Sequence, residues 1–348
     1  MKRQLYLYFG MIVASICLLG TMATAQEPLE WPRAKSFDTG EQTSVAIVRN
    51  GLYIVEFHRS ENTSRMWYHV GRLIELWPTG YSVRWGKSHD VEVKAEWPSV
   101  AVTKEGYVII VNSPYRQVVN QIEYWIGKIN IGGGEDQNIQ WYLKQQNFGY
   151  GFHPSVAVNS SGKIALAYEC RNGCKGELDY RLGHLNNPSA GRFDIVWDTG
   201  KDAVPYDRGV NPHIAINDSG QVIESHQTAA NEHLLHYRRG TLNADSITFQ
   251  ESVRYENDGT QPAVALTNTG KIIELHVQNY AMFSRTGNLN VSDPARVDWS
   301  NSINIGHMRY NYYPAITTND KGVVATWTAG DSTWKTSGTL QYTDTLVK

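Results

Sequence analysis

Short apolar runs opened by a proline or another small residue recur along the whole chain. They read Thr43-Ser44-Val45-Ala46-Ile47, Pro98-Ser99-Val100-Ala101-Val102, Pro154-Ser155-Val156-Ala157-Val158, Pro212-His213-Ile214-Ala215-Ile216, Pro262-Ala263-Val264-Ala265-Leu266 and Pro314-Ala315-Ile316-Thr317. Their short length and β-branched content predict buried strands rather than helices. Proline opens a strand without removing a ladder donor that is needed. The recurrent small residue at the fourth position implies tight space. Each run leads into a polar turn, such as Asn159-Ser160-Ser161-Gly162 or Asn217-Asp218-Ser219-Gly220, and then into a second apolar segment.

A third segment carries the skeleton Tyr-x-x-Gly-x-Leu: Tyr68, Gly71, Leu73; Tyr124, Gly127, Ile129; Tyr180, Gly183, Leu185; Tyr237, Gly240, Leu242. Gly287 with Leu289 and Gly338 with Leu340 continue it without the tyrosine. The glycines lie 56, 56, 57, 47 and 51 residues apart. That interval belongs to repeat architectures. A fourth segment pairs an aliphatic residue with an aromatic one two places on: Val83 and Trp85, Ile139 and Trp141, Ile195 and Trp197, Ile247 and Phe249, Val297 and Trp299. Residues two apart share a strand face, so each pair forms an apolar ridge for packing against a neighbouring unit. The marker glycine is read as a bulge or a close backbone approach.

Five units are complete and a sixth stops at Lys348 without its fourth strand, whereas Leu29-Glu30-Trp31-Pro32 supplies that pattern ahead of the first unit. A solenoid needs capping units, but a ring joined by strand exchange leaves no terminal edge. The expected fold is therefore all-β: a six-bladed β-propeller of four-stranded blades, closed by the N-terminal strand completing the last blade. Residues 26–348 form one domain in this reading.

Composition adds the compartment. Residues 1–25 contain Lys2 and Arg3, an apolar run from Met11 to Met22 and the Ala23-Thr24-Ala25 site, the pattern of a cleaved signal peptide. A secreted or periplasmic protein follows, with no membrane span after signal removal. The full chain has a formal net charge of −2 and no like-charge run, so nothing asks for nucleic acid. In an exported chain Cys170 and Cys174 read as a local disulfide, since zinc would need further ligands that the spacing does not offer.

In up-and-down blades, the loops before strand one and after strand two meet on one face. The first set places Gln42, Trp97, His153, Asn211, Gln261 and Tyr313 as a collar around the channel mouth. The second brings Glu-x-His pairs at the end of strand two: Glu56 and His58, Glu224 and His226, Glu274 and His276. Such pairs serve either as exposed groups for a polar ligand or as a histidine oriented by its carboxylate; two groups per blade do not fill a metal shell. Arg181, Arg238 and Arg285 follow the tyrosine position, with His69 and Trp125 in their place in earlier units; there the arginines grip a ligand or cover an aromatic face. Nucleophile-elbow, zincin and phosphate-loop motifs are absent from the sequence, and no cofactor is called for.

The Pro-x-Val-Ala-Val opening, the Glu-x-His strand end and the Tyr-x-x-Gly-x-Leu marker resemble the repeats of bacterial secreted propellers of a lectin-like kind, sometimes joined to hydrolase domains. The resemblance covers the mature chain and implies a carbohydrate-binding, lectin-like protein. Sialidase propellers are superficially similar, but their Ser-x-Asp-x-Gly-x-Thr-Trp boxes are missing; Asp331-Ser332-Thr333-Trp334 comes nearest and lacks the glycine. The expected partner is a glycan or other small polar ligand, held by Glu56, His58, Glu224, His226, Glu274, His276, Tyr68, Tyr237, Arg238, Trp97, His153 and Tyr313. Two alternatives stand beside it: a glycoside hydrolase or related hydrolase working at the central channel, and an interaction propeller whose partner is another exported protein.

Overall fold

The repeated opening runs, from Thr43 to Ile47 through Pro314 to Thr317, all lie in strands. The structure, a computed structural model, describes residues 27–48, 51–76, 80–114, 121–130, 137–170, 176–186, 193–200, 203–228, 232–306, 310–330 and 338–347. The signal segment, Cys174, Gly132-Gly133-Gly134 and the Asp331 to Trp334 stretch lie outside these residues. Every regular element among the described residues is a strand.

The first unit holds β1 (Lys35–Ile47), β2 (Tyr53–Arg59), β3 (Arg65–Leu76) and the first part of β4 (Gly80–Val102). The rest of β4 opens the second unit, followed by β5 (Tyr107–Pro114), β6 (Gln121–Asn130) and β7 (Asn138–Val158). The end of β7 opens the third, with β8 (Lys163–Cys170), β9 (Glu177–Leu185), β10 (Ile195–Trp197) and β11 (Val204–Arg208). The fourth contains β12 (Val210–Ile216), β13 (Gln221–Gln227), β14 (Leu235–Leu242), β15 (Ile247–Phe249) and β16 (Val253–Glu256). The fifth contains β17 (Gly259–Leu266), β18 (Lys271–Gln278), β19 (Ala281–Leu289), β20 (Val297–Trp299) and β21 (Ile303–Asn304). The sixth has β22 (Tyr310–Thr318), β23 (Gly322–Gly330) and β24 (Gly338–Leu346).

Neighbouring strands pair antiparallel. Because β1, β4 and β7 each serve two units, hydrogen bonding runs through one path from β10 back to β1 and on to β24, β23 and β22; two five-stranded sheets complete the fold. The long path is open at β10 and β22. In the fourth turn Gly220 supplies a left-handed φ of 79°, and the Asn217 side chain accepts from Ser219 Oγ and the Gln221 N–H.

Apolar clusters straddle consecutive units. One joins Phe57, Tyr68 and Val70 to Val108, Ile110 and Ile139; another joins Val45 and Ile54 of the first unit to Ala315, Val324 and Tyr342 of the last. The marker glycines work by close approach. Gly71, Gly127, Gly183, Gly240 and Gly287 pair across the sheet with Trp85, Trp141, Trp197, Phe249 and Trp299. A Cβ on Gly287 would come within 2.5 Å of Val297 and 2.7 Å of Trp299.

Two sequence readings shift. The residues that pair with β24 are Lys35 to Gly40, not Leu29 to Pro32. Leu29 instead packs into an apolar cluster with Ala263, Ile273 and Trp327, and the Glu30 and Pro32 carbonyls accept from Thr345 and Thr343. In the sixth unit the marker tyrosine is Tyr342: it pairs with Thr326 as Tyr237 pairs with Ser225, which places Gly338 before the marker. A threonine at the marker glycine position hid the alignment.

Candidate functional site

The opening segments of the six units line one central cavity of about 100 Å³, whose walls are small and β-branched side chains. Edge donors of these segments are satisfied by the preceding unit. Ser44, Ser99 and Ser155 accept the N–H groups of Val100, Val156 and Ile214, each at 3.0 Å. His213 Nδ1 accepts that of Val264 at 3.2 Å. Desolvation brings the His213 imidazole down to about 4, which keeps it neutral as this acceptor role requires.

The collar residues meet at the mouth of this cavity. Gln42, Trp97, His153, Asn211, Gln261 and Tyr313 have φ values of 55°, 54°, 45°, 52°, 52° and 51°. Each lies in a one-residue bulge, where the opening strand spends three residues against two on its partner. Left-handed backbone at a non-glycine residue costs about 1–3 kcal/mol and concentrates at functional positions. The bulge turns each side chain over the mouth. Trp97 touches His153 edge to face at a 4.0 Å centroid separation and Tyr313 at 5.2 Å. Gln42 and Gln261 accept the Trp97 and Tyr313 N–H groups at 2.8 and 2.9 Å. His153 Nδ1 is hydrogen-bonded to Glu169, which also accepts the Asn211 N–H at 2.7 Å.

The Glu-x-His pairs are placed differently from expectation. Glu56, His58, Glu224, His226, Glu274 and His276 are all buried at 2 % exposure or less, so they are not displayed at exposed strand ends. In each pair the histidine Nδ1 lies 3.0 Å from its own glutamate. Alternation does put Glu and His on one face, but that face packs against the preceding unit. Tyr206 and Tyr255 from that unit donate to Glu224 and Glu274 at 3.0 and 2.9 Å. Burial disfavours the His226 imidazolium, yet the adjoining Glu224 and Asp207 charges outweigh it and hold its pKa above the ordinary imidazole value.

Tyr68 and Tyr237 are likewise buried, and their hydroxyls accept the N–H groups of Ile139 and Val297 at 3.1 and 2.9 Å, stapling one unit to the next. Arg238 is tied to Asp207 at 3.2 Å and to the Tyr206 carbonyl. Arg285 pairs with Glu256, and with Glu274 at 3.3 Å.

The acidic partners escaped sequence reading. Asp38, Asp207 and Glu256 each follow an aromatic residue and precede the glutamate of a Glu-x-His pair by 18, 17 and 18 residues. That recurring aromatic-acid dipeptide was the available signal. In the first unit, Asp38 meets His69, whose Nε2 lies 2.8 Å from its Oδ2. Burial opposes ionisation of Asp38, but the His69 hydrogen bond, the Thr39 N–H and the His58 charge bring it down to about 2.

No protein-family model matches the chain, and no curated protein does. Solved structures do. The Aleuria aurantia lectin in complex with Fucα1-6GlcNAc aligns at TM-score 0.52 and 11 % identity, covering 84 % of this chain and 90 % of that one. The NanB sialidase from Streptococcus pneumoniae aligns at TM-score 0.56 and 11 % identity, over 92 % and 72 %. The hemagglutinin-neuraminidase of parainfluenza virus 5 aligns at 0.55 and 8 %, over 92 % and 93 %. At these identities the likeness concerns the fold, and the chain has the all-β architecture of the propeller lectins and sialidases.

Proposed function

We propose that the protein is an exported carbohydrate-binding propeller that takes a glycan at the channel mouth. The ring in this reading is six four-stranded blades over residues 26–348, with β1 completing the last blade. The collar carries the proposal: one strained backbone conformation recurs six times, while the side chains on it differ. Trp97, Tyr313 and His153 form an aromatic ledge suited to the apolar face of a sugar ring, and Gln42, Asn211 and Gln261 surround it with amide groups. The cavity below has room for a few waters, so the ligand lies across the mouth.

A hydrolase reading ranks second, because a typical glycosidase sets two carboxylates across the scissile bond and the described residues lining the mouth include none. A glycan array on the mature chain, followed by titration of the best hit, tests the proposal. Trp97→Ala and Tyr313→Ala are expected to weaken binding about tenfold or more with the fold intact. Failure to bind any glycan, or undiminished binding by Trp97→Ala, overturns it.

A further inference from the structure

Opposite the glutamate of Glu-x-His, the first unit carries a histidine where the fourth and fifth carry an arginine. In the fourth and fifth units, the residue paired with the glutamate of Glu-x-His is an arginine: Arg238 opposite Glu224 and Arg285 opposite Glu274. Its guanidinium meets the acid of the preceding unit, Asp207 or Glu256. In the first unit the same register position, opposite Glu56, is His69. Three donor atoms converge there. His69 Nε2 lies 2.8 Å and His58 Nε2 3.7 Å from Asp38 Oδ2, and all three atoms fall within 4.8 Å of one another.

Hydrogen-bond accounting shows which atoms face inward. Gly86 O only accepts, so His69 Nδ1, 3.0 Å away, carries the hydrogen. His58 Nδ1 faces Glu56 Oε2 at 3.0 Å, while the other oxygen of that carboxylate accepts from Thr43. An ion would replace the proton that joins His69 Nε2 to Asp38, and the rings, held in these orientations, would then aim two lone pairs at it. Donors around a tetrahedral ion with metal-nitrogen bonds near 2.0 Å stand about 3.3 Å apart, which the observed 2.8 and 3.7 Å bracket.

We propose that Asp38, His58 and His69 bind a divalent transition-metal ion of the zinc class, which takes the place filled by a guanidinium at the two equivalent seams. Two imidazoles and a carboxylate suit such an ion, and Glu56 and the Gly86 carbonyl hold the rings as outer partners of metal-bound histidines do. Asp38, with its side chain 27 % exposed, provides the entry path and leaves a coordination position for water. The ion would pin the strand that pairs with β24 to the first unit. This site is independent of the collar and of any glycan.

The test is titration of Zn2+, and of Co2+ as a spectroscopic probe, into the full mature chain stripped with a chelator. One equivalent per chain, a visible Co2+ ligand-field band and a rise in Tm of about 5 °C are expected. Asp38→Asn should abolish all three. His69→Arg should lose the metal response yet keep a Tm near that of the metal-loaded protein, because it restores the arginine of the other seams. Absence of stoichiometric binding by the wild-type chain, which would mean that a proton supplies the charge, overturns the proposal, as does unchanged binding by Asp38→Asn.

Discussion

His213 Nδ1 accepts the backbone N–H of Val264 at 3.2 Å, in the place where the first three units use a serine hydroxyl. The ring faces the narrow cavity and is otherwise enclosed by protein, which is why its pKa falls from 6.5 to about 4. A folded-state pKa below the unfolded value means that the unfolded chain binds the proton first. The stability contribution is therefore complete above pH 6.5 and is lost as pH falls from there to about 4. The loss is at most about 3 kcal/mol, less whatever channel water recovers. Urea unfolding at pH 7 and pH 5 should show a steeper decline for wild type than for His213→Ser.

His226→Ala removes the partner of a buried carboxylate. Among the described residues Glu224 would keep the Tyr206 hydroxyl as its hydrogen-bond partner, and breaking a buried pair costs about 3–5 kcal/mol. Thermal unfolding should show a large fall in Tm. An unchanged Tm would restore the view that the pair is displayed for a ligand.

Gly287→Ala forces a methyl group against Val297 and Trp299. Overpacking of this kind costs about 1–3 kcal/mol. The expected readout is a lower urea midpoint at unchanged m-value.

Much of the architecture was legible because it is periodic: opening strands, turns, marker tyrosines and aromatic ridges each repeat. The collar could be read from the residues before the prolines. Burial of the Glu-x-His pairs could not, since a period of two says which residues share a face but not what covers it. The covering residues, such as Tyr206 and Asp207, belong to the preceding unit, and their recurring aromatic-acid dipeptide does not by itself say what it covers. His69 was legible as the residue in the arginine position of the first unit, but its meeting with Asp38 was not, because Asp38 stands on a strand that pairs with the far end of the chain.

Deleting residues 27–40 removes the five described β1 to β24 pairings and bares the β24 edge. Such an edge invites pairing with another chain. Size-exclusion chromatography should show self-association, and differential scanning fluorimetry a lower Tm.

The six bulges also bear on how recognition could change over time. The same left-handed kink serves glutamine, tryptophan, histidine, asparagine and tyrosine, so the kink does not depend on which of these side chains it carries, while Gln42 and Gln261 also hold the backbone N–H of Trp97 and Tyr313. The mouth therefore behaves as linked sockets on a common frame: a change at Gln42 or Gln261 is felt at the next position, whereas the frame itself accepts varied side chains.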